Sequence, residues 1–395
     1  MSPEAPTHGS ESATALPLER RIERQCYALG FDLVGFVRLG PVESATHFEE
    51  WLSRGHAGEM RYMAHDPQLR GDTTLPHPGA VSAVVVGMQY GGREPSGPVA
   101  RYARGDDYHD VLMERLRALH RWLVLEVRCE VPGRSYVDTA PILERDLARR
   151  AGLGWFGKNT NLINPALGSF FFIGSLFVAL ELQASAPFEA DRCGSCTRCL
   201  DACPTDAFDD VRVLDARKCI SYLTIEQRGV IPQALRSLMG ELIYGCDICQ
   251  EVCPWNERFS RALPEGSTFA ARGTMGTDAR TLAIELLSMD AAAYARAFRG
   301  SAMKRAKLRG LQRNAAVALG NRVDGAVEPA LLAALSSDEA LVRGHAAWAL
   351  GRTGSASARA PLLARAEVES DPWALGELRS ALLALGDPTS PGSRS

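Results

Sequence analysis

Between residues 18 and 180, segments with a helical spacing of hydrophobic residues alternate with short, continuous apolar runs. The stretch LERRIERQCYALG predicts an amphipathic helix that ends at Gly30, and YHDVLMERLRALHRWLVLEV predicts a longer helix. The stretches DLVGFVRL and VSAVVVGMQY are rich in β-branched residues and predict strands. The pattern therefore predicts an α/β or α+β domain built around a sheet.

Beyond about residue 280 the strand pattern disappears and a repeat becomes visible. The stretches RNAAVALGN, HAAWALGRTG and SALLALGDP align on an A-x-A-L-G or A-L-L-A-L-G core, about 31 to 35 residues apart. An all-helical repeat of this period, with a glycine that ends the helix, predicts HEAT-like helix pairs stacked as a short solenoid.

The N-terminus and the longest apolar stretch both bear on location. The first 17 residues are small and polar, unlike a signal peptide, and we predict a disordered tail there. The apolar stretch FFFIGSLFVALEL is shorter than the roughly 20 residues that cross a bilayer. We therefore expect no transmembrane helix and a cytoplasmic protein. The net charge of -3 implies that any nucleic acid is bound through a local basic surface.

The cysteines are unevenly distributed. Hydrophobic residues make up 46% of the 395 residues, which is enough to bury cores without disulfides. Eight of the ten cysteines lie between Cys193 and Cys253, a concentration typical of metal ligation in a reducing compartment. We predict that the other two, Cys26 and Cys129, are ordinary buried thiols.

The stretch CGSCTRCLDACP has the C-x2-C-x2-C-x3-C-P spacing with which bacterial ferredoxins hold iron-sulfur clusters. A second run, CDICQEVCP, supplies the last three cysteines of such a motif, and Cys219 is the candidate for the missing first one. Two four-cysteine zinc sites are the alternative, although a C-x2-C-x2-C triplet with two C-P endings is unusual for zinc. We predict two 4Fe-4S clusters, one held by Cys193, Cys196, Cys199 and Cys253, the other by Cys203, Cys219, Cys246 and Cys249.

The stretch 136–176 is rich in Gly, Asn and charge although strand patterns flank it, which indicates a site. Asp138 has two interpretations: it caps a helix that has Pro141 in its first turn, or it is a partly buried acid that donates a proton. Arg145 and Lys158 are either solvated charges or anion contacts. The segment does not make a phosphate-binding loop, because Asn follows the lysine and a helical pattern precedes it.

The stretch 299–322 carries seven basic residues and no Asp or Glu. On a net acidic protein, such a stretch is suited to neutralise the phosphates of a nucleic acid, and a solvated helix face is the alternative. An adjoining solenoid favours the nucleic-acid interpretation, because it offers an extended surface. The candidate contacts are Lys304, Arg305, Lys307, Arg309 and Arg313.

Six stretches follow one another in an order that resembles the epoxyqueuosine reductase family, from about residue 20 to about residue 387. They are RYARGDDYHDVL, VDTAPILERDLARRAGLGWFGKNTNLINP, CGSCTRCLDACPTDAF, CISYLTIEQRG, YGCDICQEVCPWN and RNAAVALGN. The resemblance implies an enzyme that uses cobalamin and two 4Fe-4S clusters to reduce epoxyqueuosine, at the wobble position of a tRNA anticodon, to queuosine. It also implies an external electron donor, a HEAT-like unit that helps to hold the tRNA, and a monomer.

The resemblance also assigns roles to individual residues. It makes Asp138, in the VDT motif, the proton donor and a cobalamin contact. It places Ser221 between cobalamin and the second cluster. The other residues that it places against cobalamin are Arg70, Ala100, Arg145, Leu162 and Ile173.

We therefore predict an α+β chain of three domains after the disordered tail at 1–17. These are an α/β cobalamin-binding catalytic domain at 18–185, a ferredoxin-like 4Fe-4S domain at 186–262 and a HEAT-like α-solenoid at 280–390. A corrinoid reductive dehalogenase would share the cofactors but would not need the solenoid and the basic stretch. A non-catalytic electron-transfer or tRNA-binding protein would not need Asp138.

Overall fold

The computed structural model describes residues 16–276, 278–322 and 325–386, so the predicted tail lies almost entirely outside the described residues. The described strands are β1 (Leu33–Arg38), β2 (Ser82–Gln89), β3 (Gly133–Tyr136), β4 (Trp155–Phe156), β5 (Leu162–Ile163), β6 (Phe171–Val178), β7 (Phe208–Asp210) and β8 (Val213–Leu214). The helices of the first half are α1 (Leu18–Ala28), α2 (Ala45–Ser53), α3 (Arg61–Ala64), α4 (Pro67–Gly71), α5 (Tyr108–Val127) and α6 (Glu144–Arg150).

Short helices follow in the cysteine-rich segment, and longer ones in the C-terminal part. The former are α7 (Arg198–Asp201), α8 (Ile220–Ile225), α9 (Gln233–Arg236), α10 (Ile248–Glu251) and α11 (Pro254–Phe259). The latter are α12 (Ala279–Ser288), α13 (Ala291–Ala297), α14 (Lys307–Asn321), α15 (Glu328–Ala334), α16 (Ala340–Thr353), α17 (Arg359–Val368) and α18 (Pro372–Ala384). Among the described residues, no helix is both long enough and apolar enough to span a bilayer.

A four-stranded sheet with the order β1-β2-β6-β3 forms the centre of the N-terminal part, and every neighbouring pair is antiparallel. Strand β2 is buried on both faces. Val84 and Val86 pack in a core with α1 and α5, whereas Ala83 and Val85 pack in a second core with α6. Helices on both sides explain the continuous hydrophobic run that predicted this strand. The antiparallel pairing makes this part α+β.

The predicted elements of this part are confirmed. Strands β1 and β2 and helix α5 lie where the hydrophobic pattern indicated, and α1 ends at Ala28, two residues before Gly30 with its φ of 82°. Cys26 is buried, as predicted. The prediction of a buried thiol is wrong for Cys129, which is exposed because α5 ends at Val127 and the chain turns there into solvent.

Helices α14, α16 and α18 carry the three repeats and pack side by side. The predicted role of the repeat glycine is wrong for two of them, because Gly320 and Gly351 lie inside helices. A Cβ atom on Gly320 would come within 2.7 Å of Trp348, and one on Gly351 within 2.8 Å of Ala381. The glycines therefore allow neighbouring helices to approach closely.

The cysteine-rich segment and the repeat helices share one hydrophobic core. Leu223 and Ile243, which lie between Cys219 and Cys246, pack in the same core as Leu311 of α14. The amide of Asn314 donates hydrogen bonds of 2.8 Å to the backbone carbonyl oxygens of Thr224 and Ile243. The first repeat is therefore anchored in the part of the chain that carries the cysteines.

Candidate active site

The thiols of the cysteine-rich segment come together in two sets of four. The thiol pKa of Cys199 is raised to about 11, first by burial and then by the charges of Cys253, Cys193 and Cys196. In the other set, burial raises the thiol pKa of Cys246, and the charges of Cys219 and Cys203 add to the effect. The thiol pKa of Cys249 is likewise raised by burial and then by the charges of Cys246 and Cys219. These groupings have the same members as the two ligand sets predicted from the motif spacing, and cluster ligation by these thiols stays a prediction. The charge of Cys199, from the first set, also contributes to the raised pKa of Cys249, so the two sets are neighbours.

The chemistry of each set suits a cationic cluster. Burial raises the pKa of Cys249 well above its ordinary value and that of Cys246 to about 12, because four close thiolates repel one another and lack water. A bound metal reverses this effect, since a thiol that coordinates a cation loses its proton. Backbone N–H groups already point at several sulfurs, for example those of Ser221 and Tyr222 at Cys219. The residues therefore fit 4Fe-4S clusters.

A separate group of acids surrounds Asp138, between β3 and α6. The backbone of Asp138 has a φ of 58°, in the left-handed region, and its side chain is 61% exposed. Its Oδ2 lies 3.3 Å from Nε2 of His109, and its backbone N–H donates a 2.7 Å hydrogen bond to Oε1 of Glu144. The capping interpretation of Asp138 is wrong, because α6 begins at Glu144, beyond Pro141.

The N-terminus of α5 supplies the other half of this group. Asp107 caps the helix by accepting a 3.1 Å hydrogen bond from the backbone N–H of His109. The same carboxylate oxygen lies 2.7 Å from Nδ1 of His109, so both ring nitrogens of the imidazole contact a carboxylate. The ring stacks on Tyr108 at 4.0 Å, and Tyr108 stacks in turn on Phe172 at 4.4 Å.

The acids of this group titrate at unusual pH values. Burial raises the pKa of Glu144 to about 8, with the charge of Asp138 adding to the effect. Burial lowers the pKa of His109, but hydrogen bonds to Asp107 and Asp138 outweigh it and raise the net value to about 9. Loss of water raises the pKa of Asp138, but His109, followed by Tyr108, outweighs it and the net pKa is lowered. At pH 7, His109 and Glu144 are therefore both protonated, whereas Asp138 is ionised.

Two arginines that the resemblance assigns to cobalamin lie close enough to Asp138 to respond to its charge. Arg145 is exposed and donates a 3.3 Å hydrogen bond to the hydroxyl of Thr160. Arg70 is buried, and its terminal nitrogens donate to the carbonyl oxygens of Ala140 and Tyr62 at 3.3 Å. Its Nε is buried with no hydrogen-bond partner, so it is a donor that an additional acceptor group would satisfy.

The remaining predicted cobalamin contacts lie in three places. Leu162 and Ile173 pack in the core on the α6 side of the sheet. Ala100 is buried, donates its N–H to the carbonyl oxygen of Tyr244 at 2.8 Å, and lies against the backbone of Gly245. Ser221 lies in the first turn of α8, two residues after Cys219. The structure thus places Ser221 and Ala100 beside the second set of cysteines, and Arg70 and Arg145 beside Asp138.

Comparison with known proteins connects these features. A family model described as "Epoxyqueuosine reductase QueG, DUF1730" matches residues 70–139, one for a 4Fe-4S double cluster binding domain matches 192–256, and one for HEAT repeats matches 300–383. The epoxyqueuosine reductase of Xanthomonas campestris pv. campestris is 40% identical to this chain over 85% of the chain and 96% of its own length. That of Escherichia coli K12 is 39% identical over 87% of the chain and 91% of its own length.

The chain belongs to the epoxyqueuosine reductase family. A solved structure of an epoxyqueuosine reductase with an epoxyqueuosine-modified tRNA-Tyr stem loop has a TM-score of 0.83 and 30% identity, covering 93% of this chain and 98% of that one. A selenomethionine-labelled epoxyqueuosine reductase gives the same TM-score and identity over 99% of its length. Membership confirms the resemblance read from the motifs, and the double-cluster match favours iron-sulfur clusters over zinc.

In this member of the epoxyqueuosine reductase family, the basic stretch divides into an exposed and a buried part. Lys304, Arg305, Lys307 and Arg309 are exposed around the start of α14. The prediction that Arg313 contacts nucleic acid is wrong, because its side chain is 1% exposed.

The buried arginine is bound entirely within the protein. Its guanidinium donates hydrogen bonds of 2.7 Å to the carbonyl oxygens of Leu223, Gln227 and Gly229. Burial lowers the pKa of Arg313 to about 9, so it still carries its charge at pH 7.

The exposed basic surface and the Asp138 group are neighbours. The guanidinium of Arg305 pairs with Glu226 through two 2.9 Å hydrogen bonds and lies 5.2 Å from the ring centre of Tyr62. Burial raises the pKa of Tyr62, and the charges of Glu226 and Asp138 both contribute to the shift. Tyr62 therefore lies between the basic surface and the acids.

Sequence reasoning missed His109, Glu144 and Tyr62 as site residues. A signal was available for the first, because RGDDYHDV places two acids, a tyrosine and a histidine at the start of a long helix. His109 lies two residues after the helix-capping Asp107, where the cap fixes the backbone, so its side chain is suited to a defined contact. Nothing in the sequence pattern distinguished Glu144 or Tyr62 from other surface residues.

Proposed function

We propose that this chain reduces epoxyqueuosine in tRNA to queuosine, the reaction after which its family is named. The observation that carries the proposal is similarity to epoxyqueuosine reductases over nearly the whole chain, which includes both sets of cysteines and Asp138. A similar solved structure is of an epoxyqueuosine reductase with an epoxyqueuosine-modified tRNA-Tyr stem loop. Reduction of an epoxide to an alkene consumes two electrons and two protons and releases water.

The cysteines would bring in the electrons. Each set would supply four thiolates to one cluster. The effect of the Cys199 charge on the pKa of Cys249 supports a short distance between the two sets. The electrons would come from an external donor. Cobalamin, when bound, would supply low-potential reducing chemistry at the site. The residues that would hold it are Arg70, Ala100, Asp138, Arg145, Leu162, Ile173 and Ser221, with the unpartnered Nε of Arg70 available to an acceptor on the corrin.

Asp138 would donate the proton to the epoxide oxygen. Its side chain is exposed, so it can reach a substrate, and it is held from behind by His109 and through its backbone by Glu144. General acids of this kind contribute roughly 10²–10⁴-fold to a rate. Protonation at oxygen prevents an alkoxide from forming and allows the oxygen to leave as water.

The tRNA would lie across the exposed basic surface next to Asp138. Lys304, Lys307 and Arg309 are exposed, and Arg305 neighbours Tyr62, which lies towards the acids. Lys and Arg at such a surface neutralise backbone phosphates and so position the strand without reading its sequence. We propose that the protein acts as a monomer in the cytoplasm.

The first test is Asp138→Asn, which removes the proton while keeping the shape. The chain, loaded with both clusters and cobalamin, is incubated anaerobically with a reductant and epoxyqueuosine-containing tRNA, and the nucleosides are weighed by mass spectrometry. The wild type should remove one oxygen from the base, and Asp138→Asn should be slower by about 10²–10⁴-fold while tRNA affinity is unchanged.

The exposed His47→Gln, on α2 and outside the site, is the matched control and should match the wild type. An unchanged base after incubation with the loaded wild type would contradict the proposed function. Full turnover by Asp138→Asn would contradict the role of Asp138 alone.

A further inference from the structure

The imidazole of His109 lies between two carboxylates at the site. It lies 2.7 Å from Asp107 through Nδ1 and 3.3 Å from Asp138 through Nε2, and stacking on Tyr108 holds its ring plane. With one ring nitrogen on each carboxylate, the imidazole has both protons engaged when it is charged. This is the arrangement in which one carboxylate orients a histidine toward a second group.

The proton count of the proposed reaction leaves a role for such a residue. Each turnover takes up two protons, and one aspartic acid carries only one. With its pKa lowered, Asp138 is a carboxylate at neutral pH, whereas the proton is on His109, whose pKa is raised to about 9. A donor that starts ionised must receive a proton from a neighbour before it can give one, and His109 is a protonated neighbour whose ring nitrogen contacts the Asp138 carboxylate.

The cleft beside α5 gives His109 access to water. It has a volume of about 620 Å³, and its walls include Asp107 and His109 on one side and Val137 and Thr139, the residues that flank Asp138, on the other. Solvent protons can therefore reach the imidazole from the cleft. A proton that leaves His109 can be replaced within the same turnover.

We propose that His109 is a positioning residue that reloads Asp138 with protons, a role that rests on the proposed function. The Nε2–H proton moves to Oδ2 of Asp138, and the bonding pair stays on nitrogen. Asp138 then passes the proton to the epoxide oxygen, and cleft water returns one to the ring. Two such transfers match the two protons that leave in the product water. Neither residue changes oxidation state, since the two electrons arrive by the cluster route.

The groups that face His109 come from three elements. Asp107 and Asp138 contact it directly, and Glu144 and Arg145 respond to Asp138 from α6. Burial raises the pKa of Asp107, but His109 and, to a smaller extent, the charge of Lys304 from the segment before α14 lower it. The two carboxylates in contact with the ring dominate, and they favour the imidazolium.

The first test compares His109→Gln with the wild type in single turnovers of the fully loaded enzyme on epoxyqueuosine-containing tRNA. Glutamine keeps an N–H donor for Asp138 but cannot pass a proton on. We expect a rate lower by about 10- to 100-fold at pH 7, with tRNA affinity within twofold of wild type. The wild-type rate should fall as the pH rises through about 9, and this alkaline limb should be absent in His109→Gln.

His47→Gln, on a different helix and outside the site, should keep the wild-type rate and its alkaline limb. Asp107→Asn, which keeps the His109 ring but loosens its orientation, should have a single-turnover rate between those of the wild type and His109→Gln. A His109→Gln enzyme that matches the wild type at every pH would overturn the proposal.

The second test needs neither tRNA nor turnover. In chain labelled with ¹⁵N-histidine, the signal missing from His109→Gln identifies the imidazole, and its titration is followed by NMR. We expect an imidazolium at pH 7 with a pKa well above the ordinary histidine value of about 6.5, and a fall toward that value in Asp138→Asn.

A His109 pKa near the ordinary 6.5 in the wild type, or a raised pKa that Asp138→Asn leaves unchanged, would overturn the proposed coupling of His109 to Asp138. Because this measurement uses no substrate, it stays decisive even if the wild type leaves epoxyqueuosine intact, a result that would refute the proposed substrate instead.

Discussion

Two groups of charged side chains in this protein, around Asp138 and Arg313, both contain a residue predicted from the sequence to be functional, but they behave differently in the fold. In the Asp138 group, the Asp138 side chain is exposed to solvent, its backbone has a φ of 58°, and the acidic side chains lie close to one another. The Arg313 group is closed, and its guanidinium is bound by three backbone carbonyl oxygens. The Asp138 side chain is 61% exposed, whereas Arg313 is 1% exposed. Access to solvent, and not charge, separates the reactive group from the anchor.

The largest expected effect is on the anchor. Arg313→Leu removes the guanidinium and leaves the carbonyl oxygens of Leu223, Gln227 and Gly229 without their donor. Because these groups are buried, we expect the free energy of unfolding to fall by about 3–5 kcal/mol. Urea unfolding of the cluster-loaded chain under anaerobic conditions, followed by circular dichroism, measures it.

The matched control is Arg309→Leu, four residues earlier on the same helix and exposed, which should change the stability by less than about 0.5 kcal/mol. Equal losses in the two variants would remove the distinction between anchor and surface.

A middle-sized effect is expected on tRNA binding. Replacing Lys307 and Arg309 together by Ala removes two exposed charges next to the site and leaves the anchor intact. Affinity for tRNA should fall by about tenfold near 0.1 M salt, and the slope of log affinity against log salt should decrease by about 2. Filter binding over a range of salt concentrations measures both. An unchanged slope would show that neither residue contacts phosphate.

The smallest expected effect is a pH-dependent stability difference at the Asp138 group. The pKa of His109 is raised in the folded state to about 9 from an ordinary 6.5, so its contribution is fully present below pH 6.5 and is lost as the pH rises through 9. The stability difference between the wild type and His109→Gln should therefore shrink between those pH values. Thermal unfolding across this range tests it, and a difference that grows with pH would contradict the shifted pKa.

Much of the fold and part of the site could be predicted from the sequence, and physical reasons explain where prediction failed. Hydrophobic periodicity located β2 and α5, because each is set by residues that are near neighbours in the chain. Cysteine spacing indicated the two sets of thiols for a different reason, because in ferredoxin motifs the fourth cysteine of one run ligates the cluster of the other run. Cys129 and Arg313 were misplaced because burial depends on where a helix ends or which face it turns to a distant segment.

The acids illustrate the same limit. Asp138 was assigned through the motif that it belongs to, and the alternative cap failed because α6 begins only at Glu144. The contact with His109 joins residues 29 positions apart, so no local pattern shows it. Glu144 has an ordinary sequence environment, and its raised pKa exists only because the fold buries it near Asp138.

The bonds from Asn314 to Thr224 and Ile243 bear on how such a protein can evolve. Helical repeats are commonly exchanged between proteins as modules, because each contacts only its neighbours. Here the first repeat helix completes the interior of the redox segment, so a recombination event that replaced the repeats would also have to supply a substitute for its buried side. The electron-carrying and helical parts are therefore expected to be inherited as a unit, with insertions and losses confined to the far end of the array.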